Sequence, residues 1–222
     1  MIKATDWVRN PEGKIIVDPV TGLPKAGDIV AVGTSDPTVR IGLNSVMKWK
    51  GFSLAATFDY RGGHYTRPSS EYNMLFTGAS YISGISGRQR FVFPNSVIEE
   101  TDASGNVTYR ENTDITVNDA GKTFWNGIYK QGRANQIISA ASWRLRELSL
   151  GYDVPKKYLK KVGFLQRASV SLVGRNLFMW TPSTNIWGDP DFTGSGNGNV
   201  GGFSGTNNVG QRSYGFNLLL SF

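Results

Sequence analysis

Tyr214-Gly215-Phe216-Asn217-Leu218-Leu219-Leu220-Ser221-Phe222 closes the chain with an aromatic residue or a leucine at every even position. The odd positions, Gly215, Asn217, Leu219 and Ser221, are small or polar with one exception. A period of two is the signature of a strand with one apolar face. In water such a strand at a sheet edge recruits other strands and aggregates. In a membrane barrel it is paired on both sides and its apolar face meets lipid.

The same alternation recurs upstream. In 38–49, Val39, Ile41, Leu43, Met47 and Trp49 share a face opposite Arg40, Gly42, Asn44 and Lys48. Lys50-Gly51 then links to 52–62, where Phe52, Leu54, Ala56, Phe58 and Tyr60 oppose Ser53, Thr57, Asp59 and Arg61. Two such runs joined by two residues predict a β-hairpin. Each arm is near the ~9–11 residues that a tilted strand needs to cross a bilayer, and longer than the ~5–6 of ordinary strands. A third strand is predicted over 142–152. Trp143 and Leu145 hold one phase, Leu148, Leu150 and Tyr152 the other, so a β-bulge is expected at Arg146-Glu147. A fourth covers 168–180, with Val170, Leu172, Phe178 and Trp180 opposite Ser169, Ser171 and Arg175. The terminal stretch is the fifth.

Between the strands, connections alternate between long and short, as do external loops and periplasmic turns in bacterial barrels. Residues 1–37 read as loop with a small polar hairpin formed by 14–18 and 23–25. Residues 63–136 read as a long irregular segment, with a short helix over 71–77 and a small strand over 106–111. Residues 156–163 read as a connector of one helical turn, with Tyr158, Leu159 and Val162 inward. Residues 181–209 read as a second long loop, flexible over the glycine-rich 194–205. The fold class expected is all-β: an antiparallel sheet of five long strands forming an incomplete segment of a transmembrane barrel, because the smallest single-chain barrels have about eight strands.

Composition agrees with a loop-rich β protein. The chain has 222 residues, 27 glycines, 12% aromatics and 18% charged residues. No run of 18 apolar residues predicts a transmembrane helix. Cysteine is absent, so neither a disulfide framework nor a thiolate metal site is expected. The net charge of +7 fits nucleic acid or anionic lipid in principle. The cations are spread along the sequence, however, and no nucleic-acid partner is expected. The one cluster, Lys156, Lys157, Lys160 and Lys161, reads as a solvated turn.

Ala141-Ser142-Trp143-Arg144-Leu145-Arg146-Glu147-Leu148-Ser149-Leu150-Gly151-Tyr152-Asp153-Val154-Pro155 resembles a stretch of the SusC/RagA-type TonB-linked outer-membrane proteins of Bacteroidetes. Val173-Gly174-Arg175-Asn176-Leu177-Phe178-Met179-Trp180-Thr181, Gly188-Asp189-Pro190-Asp191 and the terminal strand are similar to later motifs of that family. The resemblance implies a TonB-dependent receptor, an importer of glycans or other large nutrients through a plugged barrel in the cell outer membrane. It implies TonB and a SusD-like surface lipoprotein as partners, outer-membrane lipid as the surroundings, and barrel-assembly machinery that reads Tyr214, Phe216, Leu218, Leu220 and Phe222 as a membrane-insertion signal. On this reading residues 1–222 are a C-terminal barrel fragment without plug domain or N-terminal extension, unable to transport alone.

Site chemistry is sparse in the sequence. The single histidine, His64, reads as a loop-surface residue, and one His without Cys argues against a transition-metal site. Asn185, Asp189 and Asp191 fit no calcium-loop spacing and read as a turn. Gly194–Gly205 lacks the Gly-Lys-Ser/Thr ending of a phosphate cradle. No catalytic residue, metal site or cofactor is assigned. Among the loop aromatics, Trp125, Trp187, Tyr65 and Tyr72 are candidates for ligand contact by stacking on sugar rings. The alternative function is a soluble or surface β-sandwich carbohydrate-binding module, whose apolar strand faces would be hidden between two sheets.

Overall fold

The computed structural model describes residues 1–87, 89–119, 124–161, 163–191, 203–204 and 210–222. The strands are β1 (Ile2–Trp7), β2 (Ile15–Val17), β3 (Ala26–Gly33), β4 (Val39–Trp49), β5 (Phe52–Gly62), β6 (Tyr65–Pro68), β7 (Ser96–Thr101), β8 (Val107–Glu111), β9 (Ile138–Ser139), β10 (Ser142–Asp153), β11 (Arg167–Trp180), β12 (Phe203–Ser204) and β13 (Ser213–Ser221). The α-helices among the described residues are α1 (Ser69–Thr77) and α2 (Lys156–Leu159). The chain divides into two compact units. Among the described residues, no helix is long and apolar enough to cross a membrane, which says nothing of strands.

One unit, residues 36–64, 139–192 and 207–222, is organised by a five-stranded antiparallel sheet in the order β13-β11-β10-β5-β4. These are the five long strands expected, in sequence order as a meander. The register keeps each apolar row on one face. Leu54 lies beside Leu150, Leu150 beside Leu172 and Leu172 beside Phe216. The phase slip is also present. Leu145 pairs with Phe58 and Glu147 with Thr57, so Arg146 is an extra residue on β10. The neighbouring β11 adjusts at Asn176, whose φ is +52°.

The β4–β5 link is a two-residue turn with Lys50 at φ +46° and Gly51 at φ +91°. Positive φ at both positions matches the right-handed twist of the flanking strands. A Cβ on Gly51 would lie 2.9 Å from the carbonyl oxygen of Asp153. Gly51→Ala is expected to cost about 1–2 kcal/mol through that crowding and the left-handed backbone. A urea-unfolding midpoint indistinguishable from wild type would reject this.

The other unit, residues 1–35, 65–138 and 193–206, overturns the expectation that its segments are mainly loop. It has its own core of Trp7, Ile15, Val17, Phe93, Ile98, Val117 and Phe124. Rings meet edge to face there: Trp7 and Phe93 at 5.1 Å, Phe91 and Phe124 at 5.6 Å, Phe124 and Trp125 at 5.0 Å. The backbone of Gly132 lies so close to the Trp7 indole that a Cβ would overlap the ring. The expected hairpin around 14–25 exists as a bridge between Val17 and Pro24, but it is not polar. Ile15, Ile16 and Val17 are buried because β2 also runs parallel to β7. The helix forms as α1, two residues longer at its start than expected, and the small strand forms as β8.

Candidate functional site

The apolar face of the five-stranded sheet is open. Leu43, Trp49, Leu172, Phe178, Trp180, Tyr214, Phe216, Leu218 and Phe222 are all at least half exposed. Among the described residues of this unit, no second layer covers these side chains as a sandwich core would require. Aromatic residues cluster at both ends of the strands. At the turn end Phe52 and Tyr152 pack at 4.6 Å beside Trp49; at the loop end Tyr60 and Trp143 pack at 4.6 Å beside Trp180. The eight-residue step from Phe52 to Tyr60 spans roughly 26 Å along the strand at about 3.3 Å per residue. Tilted by about 40°, that is roughly 20 Å, close to the apolar band of an outer-membrane barrel.

The opposite face carries charge. At the loop end, Asp59 and Arg61 of β5 and Arg144 and Arg146 of β10 meet Asp189 and Asp191 from the segment after β11. Arg144, only 7% exposed in its side chain, donates from both terminal nitrogens to Asp189, one arm at 2.7 Å. Its Nε lies 3.2 Å from Asp191. Arg146 bridges Asp59 at 2.6 Å and Asp191 at 2.8 Å, and Arg61 reaches Asp191 at 3.2 Å. The bulge makes this possible: Arg146 and Glu147 together oppose Thr57, which adds one inward-facing position to the strand. Burial raises the pKa of Asp189, but hydrogen bonds from Arg144 and from the backbone N–H of Asp191 outweigh it and hold the carboxyl below its ordinary value. Asp189 and Asp191 do form a turn, with the Asp191 N–H donating to Asp189 at 2.9 Å. Their oxygens lie against guanidinium groups.

His64 is a correction. It is buried, not on a loop surface, and its carbonyl accepts from the Ala140 N–H at 3.0 Å. Burial is the main cause of a lowered imidazole pKa; Asp191 opposes it and Arg61 reinforces it.

Of the four aromatics singled out for ligand contact, Tyr65, Tyr72 and Trp125 belong to one unit and Trp187 to the other. Trp125 packs against the core and against Tyr129 at 5.1 Å. Tyr72 is half-buried, donates to Asn126, and has the Lys130 Nζ 4.4 Å over its ring. Tyr65 is exposed, with its ring edge against Gly33. Trp187 belongs to the other unit and is half-buried beside the aspartate turn. All five members of the terminal row, Tyr214, Phe216, Leu218, Leu220 and Phe222, are exposed. In the connector Leu159 is buried as expected, whereas Tyr158 is 50% exposed and Val162 lies outside the described residues. Most of the glycine-rich segment 194–205 also lies outside them. The ionic cluster was missed in the sequence, although two arginines flanking one leucine in an otherwise apolar or small-residue strand are its trace.

No family model and no curated protein matches the chain. Solved structures do. The whole chain superposes on part of the RagAB peptide importer in the "open-open" state, with a TM-score of 0.57 and 18% identity. It does so on the "closed-closed" state with a TM-score of 0.54 and 17% identity, and on a further structure of the RagAB peptide transporter with 0.56 and 16%. The chain spans only 22–23% of the length of those chains. At such identity the likeness establishes the fold: an antiparallel sheet of the kind found in these importers, present here as a segment.

Proposed function

We propose that this chain is the C-terminal barrel segment of a TonB-dependent outer-membrane importer for glycans, peptides or other large nutrients, working with a SusD-like surface lipoprotein. The observation that carries the reading is the uncovered apolar face, banded by aromatics at both ends, on a sheet too narrow to close alone. Lipid is the environment in which such a face costs nothing to expose. The likeness to peptide importers supports the transport class. The row from Tyr214 to Phe222 is the segment offered to the assembly machinery. On this reading the aspartate turn is an external loop folded onto the lumenal face, and the ionic cluster holds it there. Tyr65 and Trp187 remain the better placed of the candidate ligand-contact aromatics, since Trp125 and Tyr72 are engaged internally.

Leu172→Arg tests the lipid reading. Leu172 sits one row from the middle of the span, between Leu150 and Phe216, and is 57% exposed. In a bilayer the substitution is expected to cost about 2 kcal/mol at this depth. On a water-facing surface it would cost almost nothing. Urea unfolding of the chain refolded into lipid vesicles distinguishes the two, and an unchanged midpoint would sink the importer reading. Membrane fractionation of the expressed chain separates the same alternatives: recovery in the soluble fraction without detergent favours a binding module.

A further inference from the structure

The charge of this chain is placed at one end of the five-stranded sheet. Lys48, Lys50, Lys156, Lys157, Lys160, Lys161 and Arg167 gather where the short connections lie, against one side-chain carboxylate, that of Asp153. They leave a surplus of six, out of a net +7 for the whole chain. The ionic cluster at the loop end is balanced instead, with three arginines against three aspartates. Asp153 is already paired with Arg167 at 3.3 Å. Among the described residues, none of the six lysines lies within ion-pair distance of a carboxylate, and all six are exposed. Four lysines within six residues repel one another unless an anion lies beside them.

Aromatic side chains at the same end indicate the depth at which such an anion would lie. Trp49 is 68% exposed and carries the Lys50 Nζ 4.9 Å over its ring. Tyr158 is 50% exposed under the Lys157 Nζ at 4.8 Å. Phe164 and Phe222 stack face to face at 5.9 Å, both largely exposed. Rings with apolar bodies sit at the boundary between hydrocarbon and headgroups, and lysine stems reach past them to the polar layer. Cations just beyond an aromatic band therefore stand at the depth of lipid phosphates.

We propose that the lysine-rich turn end of the sheet is a docking surface for anionic phospholipid headgroups, with Lys156, Lys157, Lys160 and Lys161 as its centre. It rests on the lipid-facing reading of the sheet and adds the class of lipid that borders it. Clusters of four or more cations beside a membrane favour anionic leaflets, and the attraction weakens with salt.

The test is co-flotation of the full 222-residue chain with two kinds of vesicle. One kind is wholly phosphatidylcholine; the other carries about 30% phosphatidylglycerol. The expected result is binding to both, about tenfold tighter to the anionic vesicles at ~0.1 M salt and near parity at ~1 M. The K156Q/K157Q/K160Q/K161Q variant is expected to keep its binding to phosphatidylcholine and lose most of the anionic preference. The corresponding fourfold Lys→Arg variant keeps the preference. Binding to neither vesicle would remove the lipid-facing reading itself. Equal binding to both, or an anionic preference surviving the fourfold glutamine variant, would overturn this proposal and leave that reading intact. Competition by soluble glycerophosphoglycerol would overturn it in favour of a pocket for a free anion. Displacement by an acidic polypeptide but not by added anionic vesicles would overturn it in favour of a protein partner.

Discussion

Arg144→Ala is expected to destabilise the sheet by about 3–5 kcal/mol, the usual cost of removing one partner from a buried ion pair. Arg144 is the most buried member of its cluster, and it supplies both contacts to Asp189 and one to Asp191. Without it Asp189, whose side chain is 14% exposed, keeps no guanidinium partner among the described ion pairs. Wild type should also lose stability in acid. The Asp189 pKa is depressed below its ordinary 3.8 in the fold, so its contribution is complete above that value and disappears as pH falls through the folded one. Urea unfolding in vesicles at pH 7 and pH 3 checks both points. The substitution should lower the midpoint at pH 7 and flatten the acid limb. A loss under about 1 kcal/mol at pH 7 would mean that the cluster behaves as exposed ion pairs do.

Glu71→Gln should act in the opposite direction. Glu71 lies in the first turn of α1, is 6% exposed, and accepts from the Tyr129 hydroxyl at 3.1 Å. Burial pushes its pKa up to about 7, against the pull of Tyr129 and Arg67. Burial and the nearby carboxylate likewise push the Tyr129 phenol upward. A raised carboxyl pKa favours the fold fully below the unfolded value of 4.5, and that contribution declines as pH rises through about 7. At pH 8 the ionised group would cost about 3 kcal/mol, taking roughly 1.4 kcal/mol per pKa unit. The amide still accepts from Tyr129 but cannot ionise. The variant is therefore expected to be more stable than wild type at pH 8 and about equal at pH 5. Hydrogen-exchange protection of the β2–β7 ladder, corrected for intrinsic rates, reports this unit alone. Parallel pH profiles for the two proteins would refute the assignment.

The long sheet was legible because its determinants are local. Alternation from Val39 to Trp49 or from Phe52 to Tyr60 needs no distant partner to be read, since one face must be apolar throughout. Even the bulge could be placed, because an inserted residue reverses the phase of every side chain beyond it. The second unit offered no such pattern. Its core draws Trp7, Val17, Phe93, Val117 and Phe124 from separate short segments, and its ladder joins Ile15 to Ser96 in parallel. Runs of three to six residues carry too few periods to reveal a face. The ionic cluster was half visible: Asp59 and Arg61 stood on the face opposite the aromatics. Their partners Asp189 and Asp191 come from a turn about 130 residues later, and nothing local joins the two.

The excursion between β5 and β10 has a consequence for how the sheet assembles. The β4–β5 hairpin and the run from β10 to β13 each join strands that are close along the chain. Pairing β5 with β10 instead requires closing a long loop, whose entropy opposes the step before any contact rewards it. Here the entry and exit of that loop, β6 and β9, are already neighbours in one ladder. If the unit that takes in this loop together with residues 1–35 collapses first, the loop left to close is effectively shortened and the remaining search is short. Loosening the Phe124 cluster should then slow sheet formation more than it speeds sheet loss, a kinetic role for residues outside the sheet.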